Sequence, residues 1–181
     1  ARKGQAWYLM PEYRSGAIRA GYAYGDVKTE ALVAATATAP ANFKMNKLWG
    51  EYAFGNGLEM GVTWAKYKGT HGTTGVSLVD VRKTILPVKY TTGNNVFAYM
   101  YGKSADDRVQ AGDQSAVTNM LAYNYLFSKR TNMGLAWVKM KNAAAAALDI
   151  TNTGSPAYSA SGASALLGED QTLIALSLNH A

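Results

Sequence analysis

Read by alternate residues, the chain falls into nine segments of strand periodicity, at 5–14, 16–27, 43–54, 58–68, 80–91, 94–104, 117–128, 131–142 and 171–181. In 58–68, Leu58, Met60, Val62 and Trp64 share one side, and Glu59, Gly61, Thr63, Ala65 and Tyr67 the other. That is the period of two that side chains follow along a strand. In 16–25 the same rule sets Ile18, Ala20, Tyr22 and Tyr24 against Ala17, Arg19, Gly21 and Ala23. Leu48, Gly50, Tyr52 and Phe54 likewise oppose Lys47, Trp49 and Glu51, and the last segment opposes Ile174, Leu176, Leu178 and His180 to Ala175, Ser177 and Asn179. Segments 80–91 and 131–142 alternate poorly, and pattern alone does not assign their faces. Helical signals are weak. The one alanine-rich run, from Asn142, has little amphipathic face and runs into Gly and Pro.

Segment length carries the next inference. Each has about 10 to 12 residues, longer than the five or six usual in globular strands. It matches the roughly 9 to 11 that a tilted strand needs to cross a bilayer. Tight turns fall at Ser15-Gly16, Asn56-Gly57, Thr92-Gly93-Asn94 and Lys129-Arg130, of which Asn-Gly is a strong hairpin signal. Long polar connections run from Val27 to Asn42, Gly69 to Val79, Ala105 to Ala116 and Ala143 to Asp170. This alternation of short and long predicts an all-β, transmembrane, antiparallel up-and-down barrel, with one domain over 1–181. Aromatics gather near segment ends, and Tyr22, Tyr24, Tyr52, Phe54, Trp64, Tyr123, Tyr125 and Phe127 are candidates for the membrane interface. Aromatics filling strand faces in any β protein would leave a similar trace. An odd count of nine cannot close such a barrel, because the first and last strands would run parallel. Either one segment is misjudged or an N-terminal portion precedes these residues; the polar start fits the second better, and seven further strands would make sixteen around a water-filled channel.

Charge then limits the chemistry. Charged residues make up 17% of the chain and its net charge is +6. Cysteine is absent, which excludes disulfides, zinc ribbons and thiol catalysis. Neither His71 nor His180 has a second ligand at metal spacing or a nucleophile in a recognisable motif, so no cofactor, no metal and no enzyme activity are expected. No stretch reaches the roughly 18 to 20 consecutive apolar residues of a membrane helix. Most acids lie in or beside the long connections, among them Asp26, Glu30, Asp106, Asp107, Asp113, Asp149, Glu169 and Asp170. The segments carry mainly bases: Arg14, Arg19, Lys44, Lys47, Lys66, Lys83, Lys89, Lys139 and Lys141, opposed by Glu12, Glu51 and Glu59. A charge on the lipid face costs about 2 to 4 kcal/mol at mid-bilayer, so these residues should face a lumen or sit at strand ends. Arg14, Arg19, Lys47, Glu51, Glu59, Lys83 and Lys89 are the candidate pore-lining residues. Fixed positive charge along a low-dielectric tube concentrates small anions without a tight site.

The stretch YNYLFSKRTNMGLAWVKMKN, Tyr123 to Asn142, resembles the penultimate hairpin of the trimeric porins of Gram-negative bacteria, especially the betaproteobacterial type. In those proteins an aromatic strand leads into Leu-Ser-Lys-Arg-Thr and a second aromatic strand. Here Phe127 replaces the Leu before Ser128, Lys129, Arg130 and Thr131. Leu178-Asn179-His180-Ala181 is similar to the family's ending, in which Leu-x-His-x is closed by Phe. Earlier hairpins, WYLMPEYRSGAIRAGYAYG and LWGEYAFGNGLEMGVTWAKY, follow the looser family pattern. The resemblance implies the C-terminal half of a sixteen-stranded homotrimeric porin, a channel for passive diffusion of small hydrophilic solutes and ions. It also implies an outer-membrane location, with membrane lipid and lipopolysaccharide as partners and no nucleic acid. The closing aromatic is absent, and the pattern predicts a phenylalanine after Ala181. The constriction loop of such porins would belong to the other half. Two other readings stay open from the residues alone: a complete eight- or ten-stranded outer-membrane barrel with a structural or binding role, and a soluble basic β protein that binds nucleic acid.

Overall fold

The computed structural model describes residues 4–28, 42–71, 75–108, 113–146 and 167–180. They form ten strands in one antiparallel sheet: β1 Gln5–Leu9, β2 Glu12–Ser15, β3 Ile18–Lys28, β4 Asn42–Ala53, β5 Leu58–Thr70, β6 Ser77–Thr92, β7 Asn95–Asp106, β8 Ala116–Leu126, β9 Thr131–Asn142 and β10 Gln171–His180. Spatial order follows chain order, with β1 and β2 both pairing with β3. The architecture is all-β, up-and-down and antiparallel, as the strand and turn rhythm predicts.

The expected first segment, 5–14, is corrected to two strands. Both keep one register on β3, from Gln5 opposite Lys28 to Ser15 opposite Ile18. The break falls at Met10 and Pro11, where proline has no N–H to give the ladder. Its carbonyl still accepts from the Tyr22 N–H at 3.1 Å. A proline is tolerated here because this is an edge of the described sheet. Ten strands thus occupy nine positions. A second proline, Pro87, lies inside β6. The β5–β6 ladder runs from Leu58–Tyr90 to Met60–Val88 and resumes only at Thr63–Ile85. Gly61 leaves room for the ring, since a Cβ there would lie 3.2 Å from the Pro87 Cγ.

Turn chemistry matches the sequence. Asn56 Oδ1 accepts from the Leu58 N–H at 3.2 Å, and Gly57 adopts φ 86°, a value L side chains rarely reach. At the Ser-Lys-Arg-Thr turn, Ser128 Oγ accepts from the N–H groups of Arg130 and Thr131 at 3.1 and 3.0 Å. Much of the long connections lies outside the described residues, including Glu30, Asp149 and the end of the alanine-rich run, and so does Ala181.

Register, more than pattern, fixes the faces, because directly opposed residues share one side of a sheet. From β3 to β6 even numbers oppose even numbers. Between β6 and β7 the parity changes, with Val81 opposite Asp106, and it changes again between β9 and β10, with Met140 opposite Gln171. One face therefore gathers Ile18, Tyr52, Met60, Val88, Tyr99, Leu121, Trp137 and Ile174 in a single row. The two segments left unassigned by pattern are placed by the same reasoning. Leu86 and Tyr90 of β6, with Met133 and Leu135 of β9, lie on this apolar face, while Lys83, Lys89, Ala136 and Val138 lie opposite.

No second layer covers the apolar face among the described residues. The buried hydrophobic residues are Ala23, Ala65, Val81, Ala116 and Ala146, none of them large, while Ile174, Leu176 and Leu178 are 70 to 74% exposed. Withdrawing one such side chain from water is worth about 1.5 to 3 kcal/mol. A contiguous apolar face of this extent requires an apolar surrounding.

Candidate functional site

Away from the loop-side ends of the strands, the charges lie on the face opposite the apolar one. All seven candidate lining residues, Arg14, Arg19, Lys47, Glu51, Glu59, Lys83 and Lys89, fall on it. Near the tight-turn end they form a ladder. Arg14 and Arg19 are direct cross-strand partners, a repulsive pairing by itself. Glu12 relieves it by pairing with both, and Arg19 also reaches Glu51 at 3.4 Å. Glu59 and Lys89, opposed across β5 and β6, pair at 2.8 Å. Glu12 is a member that the list of candidates omits; only the register across the Gly16 turn brings it beside both arginines.

Across β2 to β6 this face has five bases against three carboxylates, a surplus of two. Three bases are paired and the surplus resides in Lys47 and Lys83, which form no ion pair among the described residues. They share one row, each opposite Ala65 on the strand between them. Two strand spacings separate them by about 10 Å. Ala65, only 2% exposed, is the small residue between the two long stems. Aromatic surface adjoins Lys83 and, among the paired bases, Arg19. Lys83 Nζ lies 5.8 Å from the Tyr67 ring centroid, and the Arg19 guanidinium is 5.8 Å from that of Trp49. Trp49 itself lies across Gly21, where a Cβ would meet the indole at 2.6 Å.

From β7 to β10 the same face is smooth. Ala98, Ala122, Ala136 and Ala175 form one row, flanked by Met100, Met120, Val138 and Ser177. Its one charged group is Asp106 at the loop-side end, paired with Arg108.

The candidate interface aromatics Tyr22, Tyr24, Tyr52, Phe54, Trp64, Tyr123, Tyr125 and Phe127 all follow the parity of the apolar face. Several have their polar ends satisfied: Tyr22 donates to Asn46 at 2.7 Å, Tyr24 to Asp26 at 3.3 Å and Tyr123 to Asn95 at 2.8 Å, and Tyr99, on the same face, donates to Asn119 at 2.8 Å. At the loop-side ends this face turns cationic. Lys44, Lys66, Lys139 and Lys141 belong here, not with the lining residues, and Lys68, Arg82 and Lys103 join them. On β3 to β6 acids interleave with the bases: Asp26 with Lys44, Asp80 with Lys66 and Lys68, and Asp107 with Lys66 and Arg82 at 3.1 and 2.7 Å. Arg82 and Lys66 hold the Asp107 carboxyl below the ordinary aspartate range. At the far end of the apolar face, Thr131 Oγ1 and His180 Nδ1 lie 2.8 Å apart. Among the described residues no three His, Cys, Asp or Glu side chains gather as metal ligands.

The same sheet recurs in known proteins. An anion-selective porin from Comamonas acidovorans superposes with a TM-score of 0.79, covering 97% of this chain and 48% of that one at 19% identity. The fold is that of a porin wall. OmpT, an outer-membrane protein of Vibrio cholerae folded in vitro and seen in its trimer form, gives a TM-score of 0.65 at 14% identity, over 77% of this chain and 46% of its own. A porin refined at 1.8 Å gives 0.58 at 13% identity, with the same coverages. The chain spans about half the length of these three proteins, and at such identities the likeness is one of fold. No protein-family model and no curated protein matches the sequence.

Proposed function

We propose that the chain forms part of the wall of an outer-membrane porin in a Gram-negative bacterium, a homotrimeric channel for passive diffusion of small hydrophilic solutes. The observation that carries this reading is one sheet with two opposed solvents: an uncovered apolar face bordered by hydrogen-bonded tyrosines, and a charged face behind it. Strand length agrees. Eleven residues extend about 36 Å, or roughly 26 Å along the normal at the tilt usual in such barrels, near the height of a barrel's apolar band. Both edges of the described sheet are free to pair, and the porins of like fold are about twice as long, which favours the C-terminal half of a sixteen-stranded barrel. The Ser-Lys-Arg-Thr turn favours the betaproteobacterial type.

The charged face is the lumen on this reading, and its selectivity is anionic. Arg14, Arg19 and Lys89 are compensated by carboxylates; Lys47 and Lys83 are not, and they supply the net field. Reconstituted in planar bilayers under asymmetric potassium chloride, the protein is expected to show a reversal potential favouring chloride. Lys47→Glu with Lys83→Glu should bring that potential to zero or past it, whereas Lys89→Gln should move it less. A parent protein that favours potassium overturns the anion assignment, and one without conductance steps overturns the channel.

A further inference from the structure

Beyond β6 the face that carries the charged ladder turns apolar. One row there consists of Pro87, Met100, Met120, Val138 and Leu173, and the next row toward the loops of Ile85, Gly102, Thr118 and Met140. On the porin reading these residues face away from the lipid, so the bilayer does not cover them. The described strands touch only their neighbours in the sheet, so no strand covers them either. An apolar patch left open in this way marks a binding surface. Gly102 makes a recess in it, since a Cβ there would meet nothing nearer than Thr118 at 3.8 Å. At the edge of the recess stand Met100 and Met120, direct cross-strand partners with Cβ atoms about 5 Å apart. Their unbranched, polarizable thioethers adapt readily to aromatic rings. Lys83 bounds the recess on the loop side, opposite Ser104 and one row, about 7 Å, beyond Ile85 and Gly102. It forms no ion pair among the described residues, and the carboxylate diagonal to it, Asp106, is engaged by Arg108.

A fixed cation at one end of a thioether-edged apolar recess matches an anion that carries an apolar body. We propose that β6 to β8 bind aromatic monocarboxylates on this face, the carboxylate held at Lys83 and the ring laid over Gly102 against Met100 and Met120. The row spacing suits an arylacetate, whose ring begins one methylene from its carboxyl group. Charge complementarity selects this occupant: Lys47 and Lys83 repel an aromatic cation, and a neutral arene gains nothing from them. The site rests on the porin reading above and adds to it a class of solute that is not wholly hydrophilic, for which a uniformly polar wall would have no affinity.

The test titrates the protein with phenylacetate, acetate and phenethyl alcohol and reads it in two ways. In NMR of the methionine methyl groups in micelles, phenylacetate is expected to shift Met100 and Met120 by ring current. Met60 and Met133, on the apolar face and covered by detergent, should stay in place. Shifts at Met60 and Met133 alone assign the ring to the detergent and overturn the site. In planar bilayers phenylacetate is expected to block the chloride current at about a tenfold lower concentration than acetate, the gain from withdrawing one side of a ring from water. Met100→Ser with Met120→Ser should remove that difference, and conductance steps in chloride show that the variant is folded and open. Lys83→Gln should weaken the block by phenylacetate. Equal block by phenylacetate and acetate, or a parent-level difference in the double methionine variant, overturns the site. Block by phenethyl alcohol as strong as that by phenylacetate overturns the carboxylate as its ligand. The two proposals fail separately: a protein that conducts but shows neither shift nor block refutes only the arene site, and one whose Met100 and Met120 shift without any conductance refutes only the porin.

Discussion

Trp49 shows how much one missing side chain can set. Its indole occupies the space over Gly21 and, from there, lies within cation–π range of Arg19. Gly21→Leu should displace the indole and cost about 1 to 3 kcal/mol by overpacking, seen as an earlier urea midpoint for unfolding from detergent micelles. Gly50→Ala, on the apolar face with nothing nearer than 3.9 Å to its added Cβ, should cost nothing measurable in the same assay. At this scale the sequence shows residue types and hides partners. Arg14, Arg19 and Glu51 are identifiable as lining candidates from alternation alone. That Glu12 bridges both arginines, and that Lys47 and Lys83 remain uncompensated, depends on which rungs stand opposite, which no single strand encodes.

Strand β8 carries the sharpest contrast between neighbours. Leu121 points to the apolar face and Ala122, one residue on, to the opposite face. Leu121→Arg should cost about 2 to 4 kcal/mol of stability in lipid vesicles, while Ala122→Arg should fold with near-parent stability. Urea titration of vesicle-inserted protein measures both; equal penalties would mean the faces are wrongly assigned. Most strands declare these faces by period alone, but β6 and β9 do not, for an identifiable reason. Their polar face is locally apolar, with Val81, Ile85, Ala136, Val138 and Met140, and the loop-side end of their apolar face is cationic, with Arg82, Lys139 and Lys141. Two inversions in one strand cancel the alternation. Register inherited from better-patterned neighbours restores it.

For the whole molecule, the two-solvent reading is testable with its own tryptophans. Trp64 and Trp137 lie on the apolar face and Trp49 on the other. In single-tryptophan variants in vesicles, brominated acyl chains should quench the first two and spare Trp49, which aqueous acrylamide should reach. Equal lipid quenching of all three would exclude a water-facing side. The nine positions of the sheet, their order and the handover between tight and long connections were legible from the sequence because each rests on local chemistry: period, Asn-Gly, polar runs. The division at Met10 and Pro11 was not, since an edge strand keeps its register across a missing donor. One feature has meaning only at this scale. The charged ladder occupies β2 to β6 and the alanine row β7 to β10, so in a channel the two would form different sectors of one circumference. The field inside such a tube runs across it as well as along it. A zwitterion or other dipolar solute passing through is turned with its negative end toward β4 to β6, and travels in one orientation, off the axis.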